Sequence, residues 1–251
     1  MKTLLAFIEY DGSAFYGSQS QERLPSVAAS LQAALHSMGI ASKVRFSGRT
    51  DRGVHARNQA VSFEIPYQIT RESLCLKLNH KLAPHIRIRR LYEAPACFNP
   101  RFKARTRTYR YIMSGAVHAF NARYVTRGEI TQESLIKEAL QKIVGRHDFS
   151  LFKKNGSGEK NSTRTIYSAK LYRHRDFWIF RITGDSFLRL QIRLLIGALL
   201  ELDRGIITLE QFMLQLRAQE RYTHTPAPSY GLYLCGVGFG EELWRGNFGE
   251  L

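Results

Sequence analysis

Cysteine is scarce in this sequence. Cys75, Cys97 and Cys235 are scattered among 251 residues, with no C-x-x-C spacing. That excludes a disulfide framework and a cysteine-rich zinc site, and it fits a reducing compartment. Long hydrophobic runs are missing too. The longest apolar stretch, Leu194 to Leu200, falls well short of the roughly 20 residues needed to cross a bilayer, and Arg189 and Arg193 precede it. At the N-terminus the apolar run of MKTLLAFIEYDG gives way at once to Glu9 and Asp11, which makes a poor secretory signal. These absences lead us to expect a soluble, cytoplasmic protein with no membrane partner. The third shortage is acid. Twenty-one Asp and Glu stand against 37 Lys and Arg, a net charge of +16. Such an excess suits a polyanionic partner, nucleic acid or an acidic membrane face. Repeats and low-complexity segments are lacking as well.

What is present suffices for a sizeable core, since 44% of residues are hydrophobic and 12% aromatic, and wholesale disorder is excluded. Residues 3–10 read as a buried strand ending in the turn residues Asp11, Gly12 and Ser13. Val27, Leu31, Ala34, Leu35 and Met38 recur at helical spacing before Gly39. Residues 43–46 and 61–65 read as strands, with a polar loop from Ser47 to Asn58 between them. A short helix over 71–79 and a strand through Ile86 and Ile88 follow. Residues 94–104 hold two prolines and no clean period, and mark the expected boundary. Beyond it, strands are expected at 106–113, 164–172, 177–182 and 232–237. Helices are expected at 132–144, capped by Thr131, and at 187–202. Strands with interspersed helices in both halves define an α+β chain with mixed or antiparallel sheets.

The most informative segment is the loop Gly48-Arg49-Thr50-Asp51-Arg52-Gly53-Val54-His55-Ala56. Loops between strands are where a scaffold presents reactive side chains. Arg49 and Arg52 flank Asp51, and would hold a carboxylate ionised and donate to phosphate. A second loop of similar character, Asp11 to Gln21, leaves another strand end. Taken alone, Asp51 serves equally well as a turn former bonding its own backbone.

The segment GRTDRGVHA resembles the signature of the TruA family of tRNA pseudouridine synthases. The resemblance extends over nearly the whole chain. Tyr10-Asp11-Gly12-Ser13 with Phe15, Gly17, Gln19 and Gln21 is similar to the family's N-terminal motif, and Arg107-Thr108-Tyr109-Arg110-Tyr111 to its R-x-Y-x-Y strand. Gly145-Arg146-His147-Asp148-Phe149 resembles G-x-H-D-F. Phe187-Leu188 with Arg193 and Gly197 resembles the family's late helix, and Pro228 with Gly231-Leu232 its final strand. Four positions depart from the pattern: Ser18 stands where Trp is common, Asp185-Ser186 where Asn-Gly is usual, and Gln191 where an apolar residue is usual.

The resemblance implies a pseudouridine synthase fold of two similar-sized halves around a central cleft. Residues 1–104 would carry the Asp51 loop and residues 105–251 would complete the cleft. It implies isomerisation of uridine to pseudouridine at positions 38, 39 and 40 of the tRNA anticodon stem-loop, by a homodimer. Asp51 would act as nucleophile or as base, with Arg193 as its cation and Tyr109 stacking on the base. Arg49 would assist flipping, and Arg52, Arg107 and Leu232 would bind substrate. The reaction needs neither redox step nor energy input, so no cofactor and no metal are implied. Arg105, Arg107, Tyr109 and Tyr111 share one strand face, a mixture of cation and aromatic typical of RNA contact. His147, Asp148 and His55 read as structural. Two alternatives remain: a non-catalytic tRNA-binding protein on the same fold, and a metal-dependent RNA hydrolase using Asp11, Asp51 and Asp148.

Overall fold

The computed structural model describes residues 1–66, 69–154, 156 and 161–240. By its contacts the chain divides into two compact units. One comprises Met1–Arg105 and the described chain from Leu234; the other is Thr106–Tyr233. The sequence reading assigned everything after residue 104 to the second half, whereas the last strand returns to the first unit.

In the first unit, β1 (Lys2–Tyr10) pairs antiparallel with both β3 (His55–Ile65) and β4 (Ile86–Ala94). On the edge of β3 away from β1 lie β10 (Leu232–Phe239) and the short β2 (Arg45–Phe46). Both faces of β1 are covered, so its central residues are buried without alternation; this is why it reads as a continuous apolar run. Helix α1 (Val27–His36) starts at Ser26, whose side chain accepts from the Ala29 N–H. Helix α2 (Arg71–Leu82) buries Leu74, Leu78 and Leu82 along one face. Asn79 ties α2 to β4: its amide donates to the Ile88 carbonyl at 3.1 Å and accepts from the Ile88 N–H at 2.6 Å.

β3 begins at His55, six residues before the expected strand. The polar residues that suggested a loop are satisfied inside the sheet. Fully buried Gln59 accepts from the Ser47 hydroxyl at 2.6 Å and donates to the Gly48 carbonyl at 2.9 Å. The short helix α3 (Pro100–Lys103) closes the unit.

In the second unit the strand order is β5 (Ala104–Ser114), β9 (Phe177–Gly184), β8 (Thr163–His174), β7 (Gly145–Asp148), with adjacent members antiparallel. β6 (Thr126–Arg127) runs parallel to β5, so the sheet is mixed. Helices α4 (Glu133–Lys142), α5 (Gln191–Asp203) and α6 (Leu209–Leu216) complete it. The sequence reading missed α6, although Thr208 and Gln211 form a capping box at its start. The rings of Phe149, Phe152 and Phe212 meet at successive 6.2 Å centroid separations in the core.

Two helix starts differ from expectation. α5 begins at Gln191 rather than Phe187. Leu190 before it has φ 65°, and the Gln191 side chain accepts from the Leu188 N–H at 2.8 Å to close a turn. α4 begins at Glu133, and Thr131 does not cap it. The buried carboxylate of Asp203 accepts from the backbone N–H groups of Thr131 (3.0 Å) and Gln132 (2.8 Å), and the Thr131 hydroxyl donates to it. An acid 71 residues distant from Gln132 therefore anchors the segment that leads into α4. Asp203→Ala strands those donors and should cost about 2 kcal/mol. A thermal melt should show the midpoint falling by roughly 4–8 °C; an unchanged midpoint would show these bonds to be idle.

Candidate active site

In the first unit the two polar loops that the sequence singled out are joined. The first leaves β1 through a 3-10 turn, Gly12–Ala14, in which the Asp11 carboxylate accepts from the Ser13 N–H at 2.9 Å. The second leads from β2 into β3 and carries Asp51. The Gly12 N–H donates to His55 Nδ1 at 3.0 Å. A side chain at Gly12 would collide with the Val54 carbonyl, so only glycine allows this approach. Farther along, the Gly53 N–H reaches the Phe15 carbonyl at 3.3 Å.

His55 is 2% exposed, and its Nδ1 also lies 3.3 Å from the Asp11 carboxylate. Because that nitrogen already accepts from Gly12, it cannot donate to Asp11; we read a close approach rather than a charged pair. His55 thus shapes the loop.

Within the loop Thr50 is buried, Asp51 half-buried, and Arg49 and Arg52 exposed. The Val54 N–H donates to the Asp51 carbonyl at 3.1 Å, which closes the turn. The guanidinium of Arg52 sits 4.2 Å from the centroid of the Tyr16 ring, a cation–π pair that fixes it beside the loop. Thr50 is held by its neighbours: its hydroxyl pairs with the Tyr10 hydroxyl at 2.8 Å, and its backbone pairs with Ser18. Burial pushes the Tyr10 hydroxyl up to about 12, against hydrogen bonds that lower it, so it remains a donor at neutral pH. The contacts of Tyr10, Tyr16 and Ser18 escaped the sequence reading. The spacing of the first motif names these residues but does not reveal what they touch.

In the second unit, Tyr109 on β5 is 9% exposed, and its ring meets that of Phe187 edge-on at 5.3 Å. Arg107, two residues earlier, is 8% exposed and donates to the Asp185 carbonyl at 2.7 Å. The Asp185 side chain in turn accepts from the Thr165 N–H at 3.1 Å and from the Ser186 N–H, so the departure Asp185-Ser186 forms a closed turn. Tyr111 is 1% exposed and pairs with the Thr126 hydroxyl at 2.8 Å. The expected cation-and-aromatic face of β5 is therefore largely interior, and of the residues named for it only Arg105 is exposed. The alternation was right, but the side facing solvent was not: polar groups on the inner face find partners within the fold.

Arg193 lies in the first turn of α5. Its Nε donates to the Ala227 carbonyl at 2.7 Å, and the Ala227 N–H returns a bond to the Arg193 carbonyl at 2.8 Å. Gly197 permits this approach, because a side chain there would collide with the Thr225 carbonyl. Arg193 is thus oriented by the chain beside α5 rather than extended along the helix surface. Its charge acts on Tyr111, opposing the burial that pushes that hydroxyl up to about 12. Leu232 is buried at the start of β10.

Of the residues read as structural, His147 Nε2 lies 3.3 Å from the Val144 carbonyl, and Asp148 accepts from the Ser150 N–H at 2.9 Å. Among the described residues no three His, Cys, Asp or Glu side chains gather as metal ligands, and no helix is long and apolar enough to cross a membrane.

A mixed α+β chain with an aspartate on a doubly braced loop fits the class of pseudouridine synthases, and comparison with known proteins identifies that class. Residues 139–240 match the family model described as tRNA pseudouridine synthase. Over 247 residues the chain is 54% identical to tRNA pseudouridine synthase A of Wolinella succinogenes, covering 98% of both sequences. It is 40% identical to the Helicobacter hepaticus protein of that name, covering 95% of this chain and 100% of the relative. The chain belongs to the tRNA pseudouridine synthase A family, whose members are isomerases.

Proposed function

We propose that this protein isomerises uridine to pseudouridine at positions 38, 39 and 40 of the tRNA anticodon stem-loop, with Asp51 as the reacting carboxylate. The observation that carries the reading is the Asp51 loop itself. A half-buried carboxylate follows a threonine fixed through its hydroxyl and its backbone, in a chain similar over nearly its full length to proteins named for this activity.

The chemistry is a rearrangement. The bond from uracil N1 to ribose C1′ breaks, the base turns while retained, and C5 joins C1′. N1 gains a proton and C5 loses one, so no electrons enter or leave. Asp51 acts either by adding to C1′ or by removing a proton at C2′. Arg193 is the cation that favours the charged carboxylate, and Tyr109 offers its ring to the base. Arg49 assists extrusion of the uridine, which costs a few kcal/mol and less in loops and weak stem ends. Exposed Arg52 completes substrate binding by direct contact, whereas Arg107 and Leu232, both buried, contribute by supporting the residues in front of them. The net charge of +16 suits a tRNA held through its phosphates. The enzyme works as a homodimer in the cytoplasm, without a cofactor.

The test uses tRNA transcripts with a single uridine at position 38, 39 or 40 and cytidine at the other two, with pseudouridine mapped by mass spectrometry. Each uridine should convert, and a transcript with all three replaced should gain nothing. Conversion elsewhere in the molecule, or at none of these sites, would refute the assignment.

A further inference from the structure

We propose that Ser18 is a positioning residue for Asp51, acting through Thr50; this rests on the reading of Asp51 as the reacting carboxylate. Ser18 and Thr50 exchange two hydrogen bonds. The Ser18 N–H donates to the Thr50 carbonyl at 3.1 Å, and the Thr50 N–H donates to the Ser18 hydroxyl oxygen at 2.9 Å. Both backbone polar groups of the residue before Asp51 are therefore held by one serine. Ser18 is fully buried and Thr50 is 7% exposed, so water does not readily replace either bond.

The serine is itself anchored. Its carbonyl accepts from the Ala28 N–H at 3.0 Å, and the Gly17 carbonyl accepts from the Val27 N–H at 3.3 Å. Those donors are the first N–H groups of α1, which a helix leaves unpaired. Rigidity thus passes from a ten-residue helix through Ser18 to Thr50. Gly17 lets the two chains meet: its φ is 108°, and a side chain there would stand 2.9 Å from the Thr50 carbonyl.

The hydroxyl is the part of Ser18 that supplies the acceptor. The family pattern commonly has tryptophan here, and an indole N–H donates but does not accept. A tryptophan at this position therefore offers no acceptor to the Thr50 N–H, whereas serine does. Without that acceptor, a buried N–H one residue from Asp51 loses its partner and the turn relaxes. A displacement of order 1 Å at a reacting group costs about a hundredfold in rate.

The experiment compares Ser18→Thr with Ser18→Val in the full-length protein. The two side chains match in shape, so any disturbance from added bulk is shared and only the hydroxyl differs. Ser18→Ala supplies a smaller variant that introduces no bulk. The readouts are the single-turnover rate at saturating tRNA, the tRNA Kd and the melting temperature. We expect Ser18→Ala to lower the rate about 10- to 100-fold with Kd changed less than threefold, and Ser18→Thr to exceed Ser18→Val by at least about tenfold. Equal rates for the Thr and Val variants, or a Ser18→Ala protein that melts earlier but turns over normally once folded, would overturn the proposal. Asp51→Ala is assayed alongside. If that variant stays active, the parent reading fails; if it is inactive while the hydroxyl makes no difference, only the role of Ser18 fails.

Discussion

Asp51→Ala should still fold and bind tRNA while losing turnover by roughly four orders of magnitude or more, the scale seen when a reacting group is removed. The structure gives the reason for expecting this separation. The loop is braced by neighbours of Asp51: Thr50 bonds to Tyr10 and Ser18, Gly53 to Phe15, and Gly12 to His55. Within the turn, Asp51 contributes its carbonyl to the Val54 N–H, and alanine preserves that bond. Single-turnover assays with a filter-binding control check the expectation. Turnover within tenfold of wild type would remove Asp51 from the chemistry and favour a role in the turn alone.

The second large effect is expected at Arg193. Arg193→Leu should lower the single-turnover rate by on the order of 10²–10³-fold, the range found when one preorganised charge is removed, while the protein still folds. Leucine suits the helix: Leu194, Leu195 and Ile196 follow it, all buried. The backbone bond between the Ala227 N–H and the Arg193 carbonyl does not depend on the side chain. What disappears is a charge oriented by the Ala227 carbonyl. Arg193→Lys should recover little, because its ammonium cannot satisfy that carbonyl and keep a planar fork in place. The rate and the melt are read on the same preparation. Wild-type turnover in the leucine variant would reduce Arg193 to a structural tie between α5 and the segment around Ala227.

Much of this architecture could be read from local pattern. β1, α1, β5 and β9 are marked by apolar runs or by periodicity, and the Asp51 loop stood out because turn residues and charges interrupt two strands. The errors arose where partners are distant or where polar groups are buried. β3 starts early because Gln59 finds acceptor and donor within the fold. Thr131 has the residue type of a cap, yet its backbone and hydroxyl are tied to Asp203 at the end of another helix, and α4 starts without a side-chain cap. The Arg107–Tyr111 face has the composition of an RNA platform, but Arg107 and Tyr111 are satisfied within the fold, by Asp185 and Thr126. The two polar loops could be paired by their character. That Ser18 meets Thr50 was not legible, because a contact across 32 residues leaves no periodic trace.

The central claim is that this protein substitutes the uracil C5 position without metal assistance. The measurement that tests it most directly is tritium release from tRNA carrying tritium at C5 of uridine, in excess chelator, with Asp51→Ala as control. The account predicts stoichiometric release at the modified uridines by the wild-type protein and none by the variant. A folded, tRNA-binding wild type that releases no tritium, or that acts only when divalent metal is restored, would contradict it.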